Sequence, residues 1–299
     1  MNTSTQTRTD VYTRVTAKII ADLEQGVRPW TRPWNAEHAA GNIIRPLRST
    51  GEPYRGINVL LLWSEALDKG YTAPIWLTYK QAVSVGAQVR KGEHGATVVY
   101  ADKIMRSETD DNGEASERSI PFMKAYTVFN VQQIDNLPAH FTATAEPPHP
   151  VGRIEHAEAF FAATGITIHH GGNKAFYSPS RDIVQIPPRE SFRDSASHAA
   201  TVAHELTHAT SHPSRLAREL GKRFGDDAYC IEELIAEMGA AFLCADLGIT
   251  PEVQEDHAAY LAHWIDRLRT DKRAIFTAAS QAQRAVDFLH ALVDPPTAA

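Results

Sequence analysis

The chain has 299 residues, 43% of them hydrophobic and 22% charged, with a formal net charge of -6. No apolar run approaches the roughly 20 residues that span a bilayer, and the polar start MNTSTQTRTDVYTR lacks the apolar core of a secretory signal, which excludes a membrane partner and predicts a soluble, cytoplasmic protein. The two cysteines, Cys230 and Cys244, fall in one helix-like stretch and read as small core residues in a reducing compartment. Length favours two domains. The average charge conceals an asymmetry, because residues 1–105 carry 13 Lys/Arg against 9 Asp/Glu while residues 141–299 carry 14 against 21. The basic half is therefore the place to seek a polyanion.

In chain order, Val11, Val15, Ile19, Ile20 and Leu23 recur at helical spacing, with Thr9 or Asp10 as N-cap and Gly26 as the stop. Helices are predicted next at Ile57 to Ala66 and, shorter, at Lys80 to Gly86. Strand-like runs from Ala96 to Lys103 and from Pro121 to Phe129 flank a solvated acidic loop containing Glu108, Asp110, Asp111, Glu114 and Glu117, and so predict a hairpin. Three prolines between His140 and Pro150 interrupt every periodicity and mark a linker. Beyond it, a helix is predicted over Arg153 to Thr164, strands around Ile166–His170, Phe176–Ser178 and Asp182–Pro187, a long helix over Ser195 to Ser211, another over Cys230 to Gly248, and helical patterns from Pro251 to Val293. The expected fold is α+β in two domains, residues 1–137 and 153–299, joined by a Pro-rich linker at 138–152.

His204 and His208 lie four residues apart in His204-Glu-Leu-Thr-His208, so on a helix their imidazoles share one face and can grip one tetrahedral Zn²⁺ with Glu205 beside it. A catalytic zinc takes three protein ligands and leaves a position for water. The third is sought in the next helix, where Glu233 and Glu237 share an otherwise apolar face one turn apart and a cation would compensate them. The reading takes Glu233 as ligand and Glu237 as acceptor of a ligand imidazole N–H, with the exchanged roles as the alternative. Glu232 is expected to face solvent. His212 is a further candidate ligand, although Pro213 ends the helix there. The pattern resembles the gluzincin arrangement of zincin-like peptidases. The longer metzincin pattern is absent, since Ser211 and Ser214 stand where it needs Gly and His. In this reading Glu205 is the catalytic base of peptide hydrolysis. The strand from Asp182 to Ile186 is a candidate edge for an extended peptide, and Tyr229, Tyr177 and His212 are candidates for oxyanion help.

In the first half, Arg28-Pro-Trp-Thr-Arg-Pro-Trp34 alternates aromatic rings with cations, a mixture suited to single-stranded nucleic acid. Trp30, Arg32, Trp34, Arg45, Tyr54, Arg55, Trp76, Lys80 and Lys91 are the candidate DNA-binding residues. The competing reading makes the tryptophans core anchors with arginines reaching outward.

Trp30-Thr-Arg-Pro-Trp34, Tyr54-Arg-Gly-Ile-Asn58, Trp76-Leu-Thr-Tyr-Lys-Gln-Ala82 and Val89-Arg-Lys-Gly-Glu93 resemble the N-terminal domain of ArdC-type plasmid antirestriction proteins, which is similar in turn to the start of TraC-type conjugative primases. The resemblance implies single-stranded DNA binding by the first domain, a zincin-like metallopeptidase domain with one Zn²⁺, and protection of incoming plasmid DNA from host restriction during conjugation. A host restriction component or another protein is the implied peptidase substrate. The rival expectation is a DNA-binding restriction inhibitor whose metal domain is structural or inactive.

Overall fold

A computed structural model describes residues 10–30, 44–109, 115–141, 150–219, 227–250 and 258–295. The first helix, α1 (Val11–Glu24), begins after Asp10 and buries Val15, Ile19 and Leu23, the stripe expected from the spacing. Helix α2 (Ile57–Lys69) is buried along most of its length and ends at Gly70, whose left-handed backbone (φ 68°) closes the C-terminus. A four-stranded sheet follows the order β1 (Leu47–Arg48), β2 (Ile75–Thr78), β5 (Ala115–Asn130), β4 (Ala96–Thr109). Its β4–β5 pair is a long antiparallel ribbon that runs well past the predicted strand ends, with Ala96 opposite Val128 and Thr109 opposite Ala115. The tip residues 110–114 lie outside the described residues.

β4 is an edge strand in this order, and Asn58 of α2 covers it. The Asn58 carboxamide donates to the Val99 carbonyl (2.8 Å) and accepts from the Val99 N–H (2.7 Å), so one side chain replaces a strand partner at that residue. Short α3 (Tyr79–Ser84) is started by Thr78 and Gln81 in a reciprocal cap. Strands β3 (Gln88–Val89) and β6 (Ile134–Asp135) close a small second core around Leu77, Val89, Ile134 and Phe141. Thus the packing of the first half extends to Phe141, and the next helix, α4 (Pro150–Ala163), begins at Pro150; residues 142–149 between them lie outside the described set.

The second half contains a three-stranded sheet in the order β7 (Ile168–His170), β9 (Ile183–Ile186), β8 (Phe176–Ser178). β7 is parallel to β9, and β8 is antiparallel to it. Helix α5 (Ser195–Ala209) packs on β8 and β9, then α6 (Asp227–Asp246), α7 (Ala258–Thr270) and α8 (Ala274–Val293) complete the fold. Asp194 caps α5 by accepting from Ser197 N–H (2.7 Å).

The two halves share one hydrophobic core. Tyr12 of α1 meets Phe276 of α8 edge to face, Trp30 meets Trp264 of α7 in the same way, and Trp63 of α2 packs on Phe242 of α6. Polar bonds follow the same seam, with Thr16 donating to the Lys272 carbonyl and ion pairs Asp10–Lys272 and Glu24–Arg269. No helix among the described residues is long and apolar enough to cross a membrane.

Candidate metal centre

α5 and α6 approach closely at one point that glycine makes possible. A Cβ on Gly239 would sit 2.5 Å from Thr207 Cγ2 and 2.8 Å from Thr207 Oγ1, and Thr207 is fully buried. This contact brings the His204–His208 face of α5 against the acidic face of α6. The two Nε2 atoms are 3.1 Å apart, and the Glu233 carboxylate lies 3.6 Å from each. A tetrahedral ion with bonds of about 2.0–2.1 Å separates its ligand atoms by about 3.3 Å, so the three donors span a face of the right size. Among the described residues, this is the group whose ligand atoms gather within 4.8 Å.

Each histidine has its own carboxylate on the far ring nitrogen. Glu237 Oε1 is 3.8 Å from His204 Nδ1, and Glu232 Oε1 is 3.3 Å from His208 Nδ1. With a carboxylate on the Nδ1 side of each ring, a neutral imidazole would carry its proton there and turn its Nε2 lone pair to the shared space between the helices. Glu233 faces both Nε2 atoms, where a third ligand would stand, and Glu237 lies on the Nδ1 side of His204.

Glu232 does not face solvent as expected; it is 3% exposed. Arg218 grips it from behind, Nε on Oε2 (3.0 Å) and Nη2 on Oε1 (2.8 Å), while also donating to Thr210 Oγ1 (2.7 Å) and the Thr207 carbonyl (2.8 Å). The physical reason is that α6 is packed on more than one side, so the position next to Glu233 meets Arg218 rather than water. Sequence reasoning missed Arg218 because its partners come from two other helices. Arg215 makes a companion bond to the Ala209 carbonyl and holds Asp182 bidentately, so two arginines tie down the C-terminal end of the metal helix.

Burial opposes a charged imidazole, yet the hydrogen bond to Glu233 and the charges of Glu205, Glu237 and Glu233 prevail and hold His204 up at about 9. Burial likewise opposes the Glu233 carboxylate, but His204, the charge of His208 and the Tyr229 hydroxyl pull it down to about 2. Glu232 is lowered by His208 and Arg218 against the same penalty. Glu205 is buried beside the pair at 6% exposure. The carboxylates gathered around the two imidazoles make the cluster attractive to a cation.

The other candidates sort differently. His212 is bonded to Ser214 through Nδ1 (2.7 Å) and lies outside the ligand group. Tyr177 donates to Asp182 (2.8 Å), and burial together with that bond lifts its hydroxyl to about 12, so it is occupied structurally. β9 is the central strand of its sheet, paired on both sides, so the free edge beside α5 belongs to antiparallel β8 instead. Cys230 and Cys244 are buried and not joined in a disulfide, as expected of core residues.

Four of the proposed DNA-binding side chains are buried, which corrects the platform reading for them. Trp30 is 2% exposed and Trp76 1%, with Trp76 edge to face against Tyr71. Tyr54 is buried under Arg48. Arg45 is 5% exposed and forms a two-pronged pair with Asp246 at 2.8 and 2.9 Å, a bond to Gln283 (2.8 Å) and a cation–π contact with Phe242. Large rings recover more free energy in the common core than on the surface, and here that core is supplied by the distant C-terminal helices. Arg55 is exposed but paired with Asp287. Lys80 and Lys91 are exposed; Arg32 and Trp34 lie outside the described residues.

A His-Glu-x-x-His helix clasped against a helix bearing a further carboxylate, beside a sheet with an antiparallel edge, defines a zincin-like domain, and residues 155–281 match the zincin-like metallopeptidase family. Residues 9–129 match the N-terminal domain of anti-restriction factor ArdC. The crystal structures of antirestriction ArdC protein from the R388 plasmid are similar over the whole fold. The metal-free form has a TM-score of 0.79 and 44% identity over 95% of this chain and 98% of that one; the Mn(II)-bound form has 0.78 and 42% over 96% and 100%. The chain belongs to the ArdC antirestriction family. It is also 44% identical to protein y4eC of Sinorhizobium fredii (strain NBRC 101917 / NGR234), over 96% of this chain and 93% of that protein. A DNA primase TraC of Escherichia coli is 38% identical over 83% of this chain, which spans only 24% of the primase.

Proposed function

We propose that the protein protects incoming plasmid DNA from host restriction during conjugation by binding single-stranded DNA with its N-terminal half and holding one Zn²⁺ through His204, His208 and Glu233. The observation that carries the metal reading is the convergence of two Nε2 atoms and one carboxylate on a common space, with Glu232 and Glu237 on the opposite nitrogens. Two imidazoles and a carboxylate suit zinc, and the oxygen-rich surroundings also admit manganese. When bound, such an ion acidifies water and polarises a carbonyl. Glu205 would take the proton of the attacking water and return it to the leaving amine of a protein substrate, which could be a host restriction component. The exposed edge of β8, next to α5, would align that substrate as an added strand.

Metal analysis of purified protein tests the site, with loss of bound metal expected in His204→Ala. The Glu205→Gln variant tests hydrolysis, because it should keep the metal and lose antirestriction. Retained protection with retained metal would favour the second reading, in which the metal is structural. One observation favours that reading: α6, which bears Glu233, also anchors the N-terminal half through Asp246 and Phe242. A metal joining α5 to α6 would then stiffen the frame that supports the DNA-binding half.

A further inference from the structure

We infer that single-stranded DNA is bound on the β4–β5 ribbon, by the exposed rings of Tyr100 and Tyr126 and the half-buried ring of Phe122, with Lys124 among them. This rests on the DNA-binding reading above and supplies the surface that the buried tryptophans leave open. The register sets Val98 opposite Tyr126, Tyr100 opposite Lys124, and Asp102 opposite Phe122, so these residues share one face of the ribbon. Near its base that face is core, with Ala96, Val98 and Val128 buried; further out the same face emerges into solvent. Tyr100 is 49% exposed and Tyr126 46%, and the Lys124 ammonium lies 5.2 Å above the Phe122 ring.

The geometry distinguishes between occupants. Ring centroids stand 6.2 Å (Tyr100–Phe122) and 6.5 Å (Tyr100–Tyr126) apart, tilted by 55° and 77°, so no ring covers another and each has a face to offer. Stacked bases rise about 3.4 Å per step. Bases must therefore splay apart to rest on successive rings, which a single strand allows and a duplex resists. The Tyr100 hydroxyl donates to Asp102 (2.6 Å), which fixes the ring and engages the one carboxylate of this stretch. A second copy of this chain fits less well, because two-fold pairing of this face would bring two Lys124 ammonium groups together.

Binding of a labelled oligothymidine to the full-length protein tests the surface. Tyr100→Ala and Tyr126→Ala should each weaken affinity about tenfold or more, and Lys124→Ala should flatten its salt dependence. Val85→Ala and Leu292→Ala, exposed apolar positions elsewhere, serve as controls and should bind as wild type. Photo-crosslinking to the unaltered protein gives a readout that no folding defect can imitate, with adducts expected on Tyr100, Phe122 or Tyr126. Wild-type affinity in both tyrosine variants, with crosslinks elsewhere, would overturn the ribbon and leave DNA binding standing. Absence of oligothymidine binding by the wild type would overturn both. Altered self-association of the tyrosine variants with unchanged DNA affinity would make the face an interface between copies and also overturn the inference.

Discussion

Helix α6 carries two ionic clusters near its opposite ends, and they are completed in different ways. At Asp246 the charges close on themselves: Arg45 spends two nitrogens on the carboxylate and a third on Gln283, its guanidinium lies over Phe242, and Gln283 also accepts from Gly56 N–H. At the other end, among the described residues, Glu232, Glu233 and Glu237, with Glu205 nearby, face two imidazoles and the guanidinium of Arg218. The first cluster is balanced by the chain itself. The second gathers carboxylates around two imidazoles whose Nε2 atoms face a common space, an arrangement that a bound cation would stabilise, and this separates a fastening from a candidate site.

Removing a partner should therefore have different consequences at the two ends. Arg45→Ala leaves Asp246 at the seam with His290 as its remaining partner among the described residues and should cost about 3 kcal/mol of stability, at the lower end for a broken buried pair because Asp246 keeps part of its side chain in solvent. Chemical denaturation should show a lower midpoint with metal affinity nearly unchanged. Equal losses of stability and metal affinity would mean that the two clusters are not separable. At the other end Glu232→Gln should lower metal affinity about 10- to 100-fold while stability changes less, since the amide cannot hold the His208 tautomer as firmly. Titration with a competing chelator reads this directly.

The pH dependence sharpens the same contrast. His204, raised to about 9 from an unfolded value of 6.5, stabilises the metal-free protein fully below 6.5 and loses that contribution as pH rises through 9. Glu233, lowered to about 2 from 4.5, stabilises it fully above 4.5 and loses that contribution as pH falls through 2. These are two ends of one ion pair, so metal-free protein should be most stable between about pH 4.5 and 6.5. A metal ion must displace the His204 proton, so its apparent affinity should rise about tenfold per pH unit up to about pH 9. Calorimetry in buffers of different ionisation heat should find close to one proton released. No proton release would mean that His204 is neutral and the charge of the cluster is balanced in another way.

What could be read from the amino-acid sequence follows the range of the interactions involved. The gathering of His204, His208 and Glu233 was legible because the two histidines share a helix face by spacing alone and Glu233 lies on an otherwise apolar helix. Helix α1 and its cap position were legible for the same local reason. Arg45 and Trp30 were not, because what buries them stands at Asp246 and Trp264, more than 200 residues on. Within Tyr54-Arg-Gly-Ile-Asn58 nearly every residue serves the seam or the sheet edge: Arg55 pairs with Asp287, Gly56 N–H bonds Gln283, and Asn58 covers β4. A segment that looks like a DNA contact in sequence is, in space, a joint. Glu232 was misplaced since helical periodicity says which face a residue occupies, not whether that face meets water or Arg218.

The smallest effect expected is also the most direct test of how the metal centre is assembled. Gly239 would by helix propensity gain about 1 kcal/mol on replacement by alanine. The new Cβ, however, would press on Thr207, which is fully buried, β-branched and bonded to the Ala203 carbonyl, so it has little room to turn away. Overpacking costs about 1–3 kcal/mol, which leaves Gly239→Ala destabilised by about 1 kcal/mol and α5 and α6 slightly spread, with weaker metal binding. Thr207→Ala removes the obstructing Cγ2, so the double variant should recover metal affinity relative to Gly239→Ala alone. Strict additivity of the two changes would mean that the helices meet elsewhere and that this contact does not set the distance between His204, His208 and Glu233.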